Sequence, residues 1–245
     1  MRYFFEIEFL GKNYFGWQIQ PKDISIQQEI QQNISKLLSH KEVVITGCGR
    51  TDTGVHAKQY FFHVDLPSID PIEFRYKLNS MLPEAIVVNK IVKTHNEAHA
   101  RFDATCRTYR YFISYKKSPF KNHVELLLKH SLNLEAMNLC AKELIGKKDF
   151  ASFARSNSGV DHTYCEVYSA EWKVEQDIIF FEIAANRFLR NMVRAIVGTL
   201  MEVGAGKLSH SEFMEIMKAG DRSKASTSAP AHGLFLWKIE YPFDV

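Results

Sequence analysis

The sequence predicts an α+β fold in which a β-α-β-β-α-β order, the split βαβ or ferredoxin-like arrangement, occurs twice. An N-terminal half takes residues 1–100 and a C-terminal half residues 101–245. Two observations carry this expectation. Short stretches of period-2 alternation mark strands, and apolar stripes at helical spacing, each behind an N-capping residue, mark helices. The same order of the two then recurs without any shared words, so the repeat is one of architecture.

Residues 3–9 place Tyr3, Phe5, Ile7 and Phe9 on one face and Glu6 and Glu8 on the other, the pattern of a half-buried strand. Ser25 with Gln28 reads as a capping box, and Ile26, Ile30, Ile34, Leu37 and Leu38 follow as an apolar stripe. Residues 43–46 and 60–66 are β-branched and aromatic and read as strands. Asp70 followed by Pro71 opens a second helix to Met81, stopped before Pro83, and a strand over 86–92 completes the first half. A connection over 93–106 leads to a strand at 108–115. Asn133 caps a helix that Gly146 ends. Residues 168–175 and 178–185 form a hairpin turning at Gln176 and Asp177. A strongly apolar helix over 187–203, a helix capped by Ser209 with Glu212, a loop over 223–233 and a last strand at 234–241 finish the chain.

A chain of 245 residues with 46% hydrophobic and 24% charged residues is long enough for a substantial core and is not a disordered polymer. Its 31 basic and 28 acidic side chains leave a net charge of only +3, so a polyanion must be held by the placement of charge rather than by its sum. No run of apolar residues is long enough to span a membrane, and Glu6 and Glu8 interrupt the N-terminal run that could pass for a signal sequence. The four cysteines are scattered without a C-x-x-C pair, as expected of reduced thiols in a cytoplasmic protein.

Chemistry is most densely signalled at residues 47–57, GCGRTDTGVHA, behind a predicted strand. Asp52 occupies the place of the third glycine of a dinucleotide fingerprint, and the Gly-Lys-Ser/Thr of a phosphate loop is missing. What remains is a carboxylate in a glycine-defined turn, two residues from Arg50, whose guanidinium would favour the ionised form suited to a nucleophile or base. A turn in which Asp52 only accepts backbone amides fits the residue types equally well.

Over residues 101–121, Arg101, Arg107, Arg110, Lys116, Lys117 and Lys121 face the single acid Asp103, and six aromatic residues are interleaved with them. Alternating cations and rings suit an unstacked nucleic-acid base, although a strand with a solvated basic face and an aromatic core face is the commoner outcome. Arg187, Arg190 and Arg194 are spaced to share one face of the predicted apolar helix, either as a partly desolvated anion site or as a solvated charge stripe. His95 and His99 lack the glutamate and third ligand of a metal site, and no Ser-His-Asp signature appears.

Taken together, residues 49–57 (GRTDTGVHA), 100–111 (ARFDATCRTYRY) and 186–204 (NRFLRNMVRAIVGTLMEVG), with GKNYFGWQ at 11–18 and GLFLWKIEYP near the C-terminus, resemble the tRNA pseudouridine synthase A family along essentially the whole chain. The resemblance implies a pseudouridine synthase fold: two ferredoxin-like halves sharing a mixed, mostly antiparallel sheet with a central basic cleft, usually as a homodimer. It implies isomerisation of uridine to pseudouridine at tRNA positions 38, 39 and 40, without a cofactor or metal, after the nucleotide has been flipped from its stack. By position in the motifs, Asp52 matches the catalytic aspartate, and Arg50 the arginine that takes the flipped base's place. Tyr109 matches the tyrosine that stacks on the target base, and Arg194 the arginine that pairs with the aspartate. Arg101, Arg107, Arg110, Arg187 and Arg190 are the expected substrate-binding cations. Thr53 stands where many members carry Ala, Ala195 where Asn is frequent, and segment 155–166 is less basic than an RNA-facing loop.

Overall fold

The computed structural model describes residues 1–155 and 162–245, so the reading of segment 155–166 falls largely on residues outside those described. The chain forms two compact units, Met1–Thr105 with Phe235–Val245, and Cys106–Leu234.

The first unit opens with β1 (Arg2–Phe9), α1 (Ile26–Leu37), β2 (Thr46–Gly47), β3 (His56–Asp65), α2 (Pro71–Met81) and β4 (Ile86–Lys93). β1 is antiparallel to both β3 and β4, with Phe5 opposite Phe62 on one side and Ile91 on the other, and β2 pairs antiparallel with β3. The resulting order β4-β1-β3-β2 is that of a ferredoxin-like sheet. Ser25 accepts the Gln28 amide, and Asp70 accepts those of Ile72 and Glu73 ahead of Pro71, so both helices start where their caps predict. They bury Ile26, Ile30 and Ile34 from α1, and Phe74 and Leu78 from α2.

The expected strand over 43–46 is reduced to Thr46–Gly47. Val43 and Ile45 are buried, but α1 side chains take up the backbone in place of a neighbouring strand: Gln27 Nε2 donates to the Ile45 carbonyl at 3.0 Å, and the Ile45 amide donates to Gln31 Oε1 at 3.4 Å. Buried β-branched residues therefore do not by themselves establish a strand.

The second unit holds β5 (Cys106–Ser114), β6 (Leu126–Leu127), α3 (Leu134–Lys142), β7 (Gly146–Asp149), β8 (Tyr164–Glu175), β9 (Ile178–Ala185), α4 (Met192–Gly204) and α5 (His210–Ala219). Its antiparallel sheet runs β5-β9-β8-β7, with Tyr111, Phe181 and Trp172 side by side across three strands. α3 is tied to this sheet by Asn138, whose side chain exchanges two hydrogen bonds with the backbone of Trp172. Ser209 and Glu212 complete the expected capping box of α5.

Gly146 does not end a helix: α3 stops at Lys142, and Gly146, at φ +101°, opens β7. The apolar helix starts at Met192 rather than at residue 187, because Asn191 sits in the left-handed region at φ 65° and breaks the helix there. The last strand, β10 (Leu234–Glu240), runs parallel to β3, with Phe235 opposite His56 and Leu236 opposite Ala57. From Phe235 onward it belongs to the first unit, whereas the sequence reading left it in the C-terminal half.

Candidate active site

In the first unit, the loop between β2 and β3 carries Asp52. Its entry is fixed by the Cys48 amide donating to the Phe61 carbonyl at 2.8 Å and by the Tyr60 hydroxyl donating to the Gly49 carbonyl at 2.5 Å, with Trp17 stacked on Tyr60 at 4.2 Å. Its exit is fixed where His56, fully buried, accepts the Gly11 amide at Nδ1 (2.9 Å) and packs against Phe235. Between these ends the Val55 amide closes a turn on the Asp52 carbonyl at 3.1 Å, through Gly54 at φ 78°.

Segment 11–17 braces this loop from outside. A Cβ on Gly11 would come within 1.9 Å of the Val55 carbonyl oxygen, and one on Gly16 within 2.2 Å of the Thr51 carbonyl oxygen, with Gly16 itself at φ +79°. Two backbones meet at a separation only glycine allows. Asp52 is thereby held half-buried in a turn whose shape is set by residues forty positions upstream as much as by its own neighbours. Arg50 is exposed and, among the described residues, unpaired, so the nearby guanidinium expected from the sequence is not a partner of Asp52.

Within the same unit Arg101 is exposed, with its guanidinium 5.5 Å from the centre of the Phe102 ring. Its loop is pinned by the Ala100 amide donating to His63 Nδ1 at 3.0 Å and by the His99 amide donating to Asp103 at 2.7 Å. Burial, reinforced by the positive charge of Arg2, lowers the His63 pKa to about 4.

In the second unit, alternation along β5 separates the expected cations. Arg107 and Tyr109 share a face with the buried Tyr111, and Arg110 takes the other face. Tyr109 meets Phe188 edge to face, with centroids 5.0 Å apart. Arg107 donates to the Asn186 carbonyl at 2.9 Å. The Tyr111 hydroxyl donates to the Pro230 carbonyl at 2.9 Å, and burial pushes its pKa up, against the opposing pull of the Arg194 guanidinium. Arg194, in the first turn of α4, donates through Nε to the Ala229 carbonyl at 2.8 Å, while the Ala229 amide donates to the Arg194 carbonyl at 2.9 Å. The loop over 223–233 thus straps Arg194 into place.

Arg110 is engaged elsewhere. It forms an ion pair at 2.6 Å with Glu182, its direct neighbour on β9, which also binds Lys173 at 2.7 Å, and it lies over the Phe180 ring at 4.5 Å. Burial opposes ionisation of Glu182, but the hydrogen bonds from Lys173 and Arg110 prevail and hold its carboxyl below the usual range.

Arg187 and Arg190 do not share a helix face with Arg194, since both precede the helix. Arg187 lies 3.3 Å from the His162 ring nitrogen, and Arg190 is exposed, with its carbonyl accepting the Arg155 amide. Sequence reasoning missed the structural parts of His56, Trp17 and Glu182. Gly11 and Gly16 were the available signal for the first two. Among the described residues, no cluster of three or more His, Cys, Asp or Glu is placed to hold a metal ion.

Residues 7–103 and 140–242 match the family model described as tRNA pseudouridine synthase. The chain is 47% identical over 246 residues to a protein named tRNA pseudouridine synthase A from Parabacteroides distasonis, covering all of this chain and 97% of that one. It is 45% identical over 242 residues to the protein of that name from Azobacteroides pseudotrichonymphae, covering 98% and 97%. With that of Bacillus subtilis it shares 37% identity over 239 residues, covering 96% and 97%.

Proposed function

The chain belongs to the tRNA pseudouridine synthase family, an enzyme family that isomerises tRNA uridine, and we propose that it acts on uridines 38, 39 and 40 of the anticodon stem-loop with Asp52 as the residue on which turnover depends. The reaction is mass-neutral. The N1–C1′ bond of the nucleotide breaks, the uracil turns, and a C5–C1′ bond forms; the C5 proton is released and N1 ends protonated. Asp52 either adds to C1′, giving a glycosyl ester that C5 then displaces, or takes a ribose proton to start the detachment.

The observation that carries this reading is the bracing of the Asp52 loop. A half-buried carboxylate is fixed in a turn by two close glycine contacts and a buried histidine, a rigid setting that a merely solvated turn does not require.

The target atoms lie inside a stacked stem, so the nucleotide must be flipped, at a cost of a few kcal/mol. Tyr109 receives the base, Arg50 fills the gap it leaves, and Arg194, aligned by Ala229, is the further arginine assigned to the reaction. Arg101, Arg107, Arg187 and Arg190 take phosphates. Arg110, held by Glu182 on the sheet, is the remaining substrate-binding cation. No cofactor enters this chemistry, and the enzyme works as a cytoplasmic homodimer. No helix among the described residues is long and apolar enough to cross a membrane.

Release of tritium from tRNA labelled at uridine C5 tests the reading. Release is expected from a transcript carrying uridines at the three positions and not from one carrying cytidines there. Binding of tRNA without release would make the protein a non-catalytic RNA-binding module.

A further inference from the structure

Outside the proposed site, the second unit carries one basic, aromatic-tipped loop over residues 115–125, YKKSPFKNHVE. Its root is fixed. β6 pairs with the end of β5, the Leu128 amide donates to the Ser114 carbonyl at 2.8 Å, and the Leu132 amide donates to the Tyr115 hydroxyl at 3.0 Å. The tip is folded too, through turns in which the Lys121 amide reaches the Ser118 carbonyl and the Val124 and Glu125 amides reach the Lys121 carbonyl.

The ring at the tip of this ordered loop is not part of the core. Phe120 is 92% exposed, the most of any large hydrophobic side chain described. Lys116, Lys117, Lys121 and Lys129 surround the loop and its root, all exposed. The loop's single carboxylate, Glu125, pairs with Lys121 at 2.9 Å, and Lys116 and Lys117 make no ion pair among the described residues.

Fixed cations with no counter-charge beside a bare ring match the chemistry of a nucleic acid, whose phosphates take the cations and whose unpaired bases offer flat faces to stack on. A membrane-binding loop would be expected to show a broader apolar face, and a protein-docking loop a neighbouring apolar patch to continue the contact. Neither accompanies Phe120 on this loop.

We infer that Lys116, Lys117 and Phe120 form an accessory RNA-contact surface, at which the two lysines bind backbone phosphates of the tRNA substrate and Phe120 stacks on an unpaired base. This rests on the proposed function for the identity of the RNA. The surface acts in binding alone and touches none of the groups assigned to the reaction.

The test is filter binding of a tRNA transcript to the full chain over a range of salt concentrations. The double variant Lys116→Ala/Lys117→Ala is expected to reduce the slope of log K against log salt by about two. Phe120→Ala should weaken binding by about tenfold, within the range typical of a lost base stack, and Phe120→Trp should restore it. Because Phe120 covers nothing, its variants should melt with the wild type, and turnover at saturating tRNA should be unchanged while KM rises. An unchanged slope in the double variant together with wild-type affinity in Phe120→Ala would overturn the inference. Its failure is separable from that of the proposed function, because tritium release reads the chemistry and the salt slope reads the loop whether or not turnover occurs.

Discussion

His56 and His63, seven positions apart on β3, each accept a backbone amide at Nδ1, from Gly11 and Ala100, and so join β3 to two loops that no strand reaches. An accepting Nδ1 must be unprotonated, so both bonds require the ring to be neutral. For His63, with a folded pKa of about 4 against an ordinary 6.5, the sign follows directly. The unfolded chain binds a proton below pH 6.5 and the folded chain does not until about pH 4. Stability is therefore fully present above pH 6.5 and is lost as pH falls through that window, by at most about 1.4 kcal/mol per unit, a total on the order of 3 kcal/mol. Urea unfolding at pH 7 and pH 5 should show the loss, and His63→Gln should flatten it. A pH-independent midpoint in the wild type would contradict the assignment. The same residue scale shows what the sequence leaves out at Arg110: its cationic character is visible there, but not the Glu182 carboxylate seventy-two positions away that pairs with it.

At the scale of elements, the contact between segment 11–17 and the Asp52 loop makes a sharp prediction. Gly16→Ala places a methyl group against the Thr51 carbonyl at a positive φ, an overpacking that costs about 1–3 kcal/mol and is relieved most easily by moving the loop. Turnover should fall at least tenfold while circular dichroism stays native and tRNA affinity changes little; full turnover would show that the loop tolerates displacement. The caps at Ser25, Asp70, Asn133 and Ser209 were legible because a cap and its amides lie within three residues of each other. β6 and β7 were not legible, being short segments whose pairing is entirely tertiary. The start of α4 misled for a related reason. Phe188 and Leu189 continue its apolar pattern upstream, and only the left-handed Asn191 ends it. Asp52 itself was legible as a candidate, because its glycine-rich turn is local, whereas the brace that fixes it depends on Gly11, Gly16 and His56 from separate elements.

Over the whole molecule, both units hide their cysteines. Cys48, Cys140 and Cys165 are buried and Cys106 is half-buried, and none forms a disulfide. Burial pushes the thiols of Cys140 and Cys165 up to about 11, so little thiolate is present near neutrality. Alkylation of the native protein at pH 8 should modify Cys106 first and the other three only on unfolding, and reductant should not shift the melting temperature. Rapid modification of all four would show that the units are looser than described. The net charge of +3 leaves tRNA affinity to a few placed cations, so binding should weaken steeply with salt. The central claim, that one braced carboxylate drives the isomerisation, is tested most directly by Asp52→Asn, which keeps the side chain's size and removes its ability to act as nucleophile or base. Tritium release under single-turnover conditions should fall by several orders of magnitude, with tRNA binding within a few-fold of wild type. Release within tenfold of wild type would contradict it.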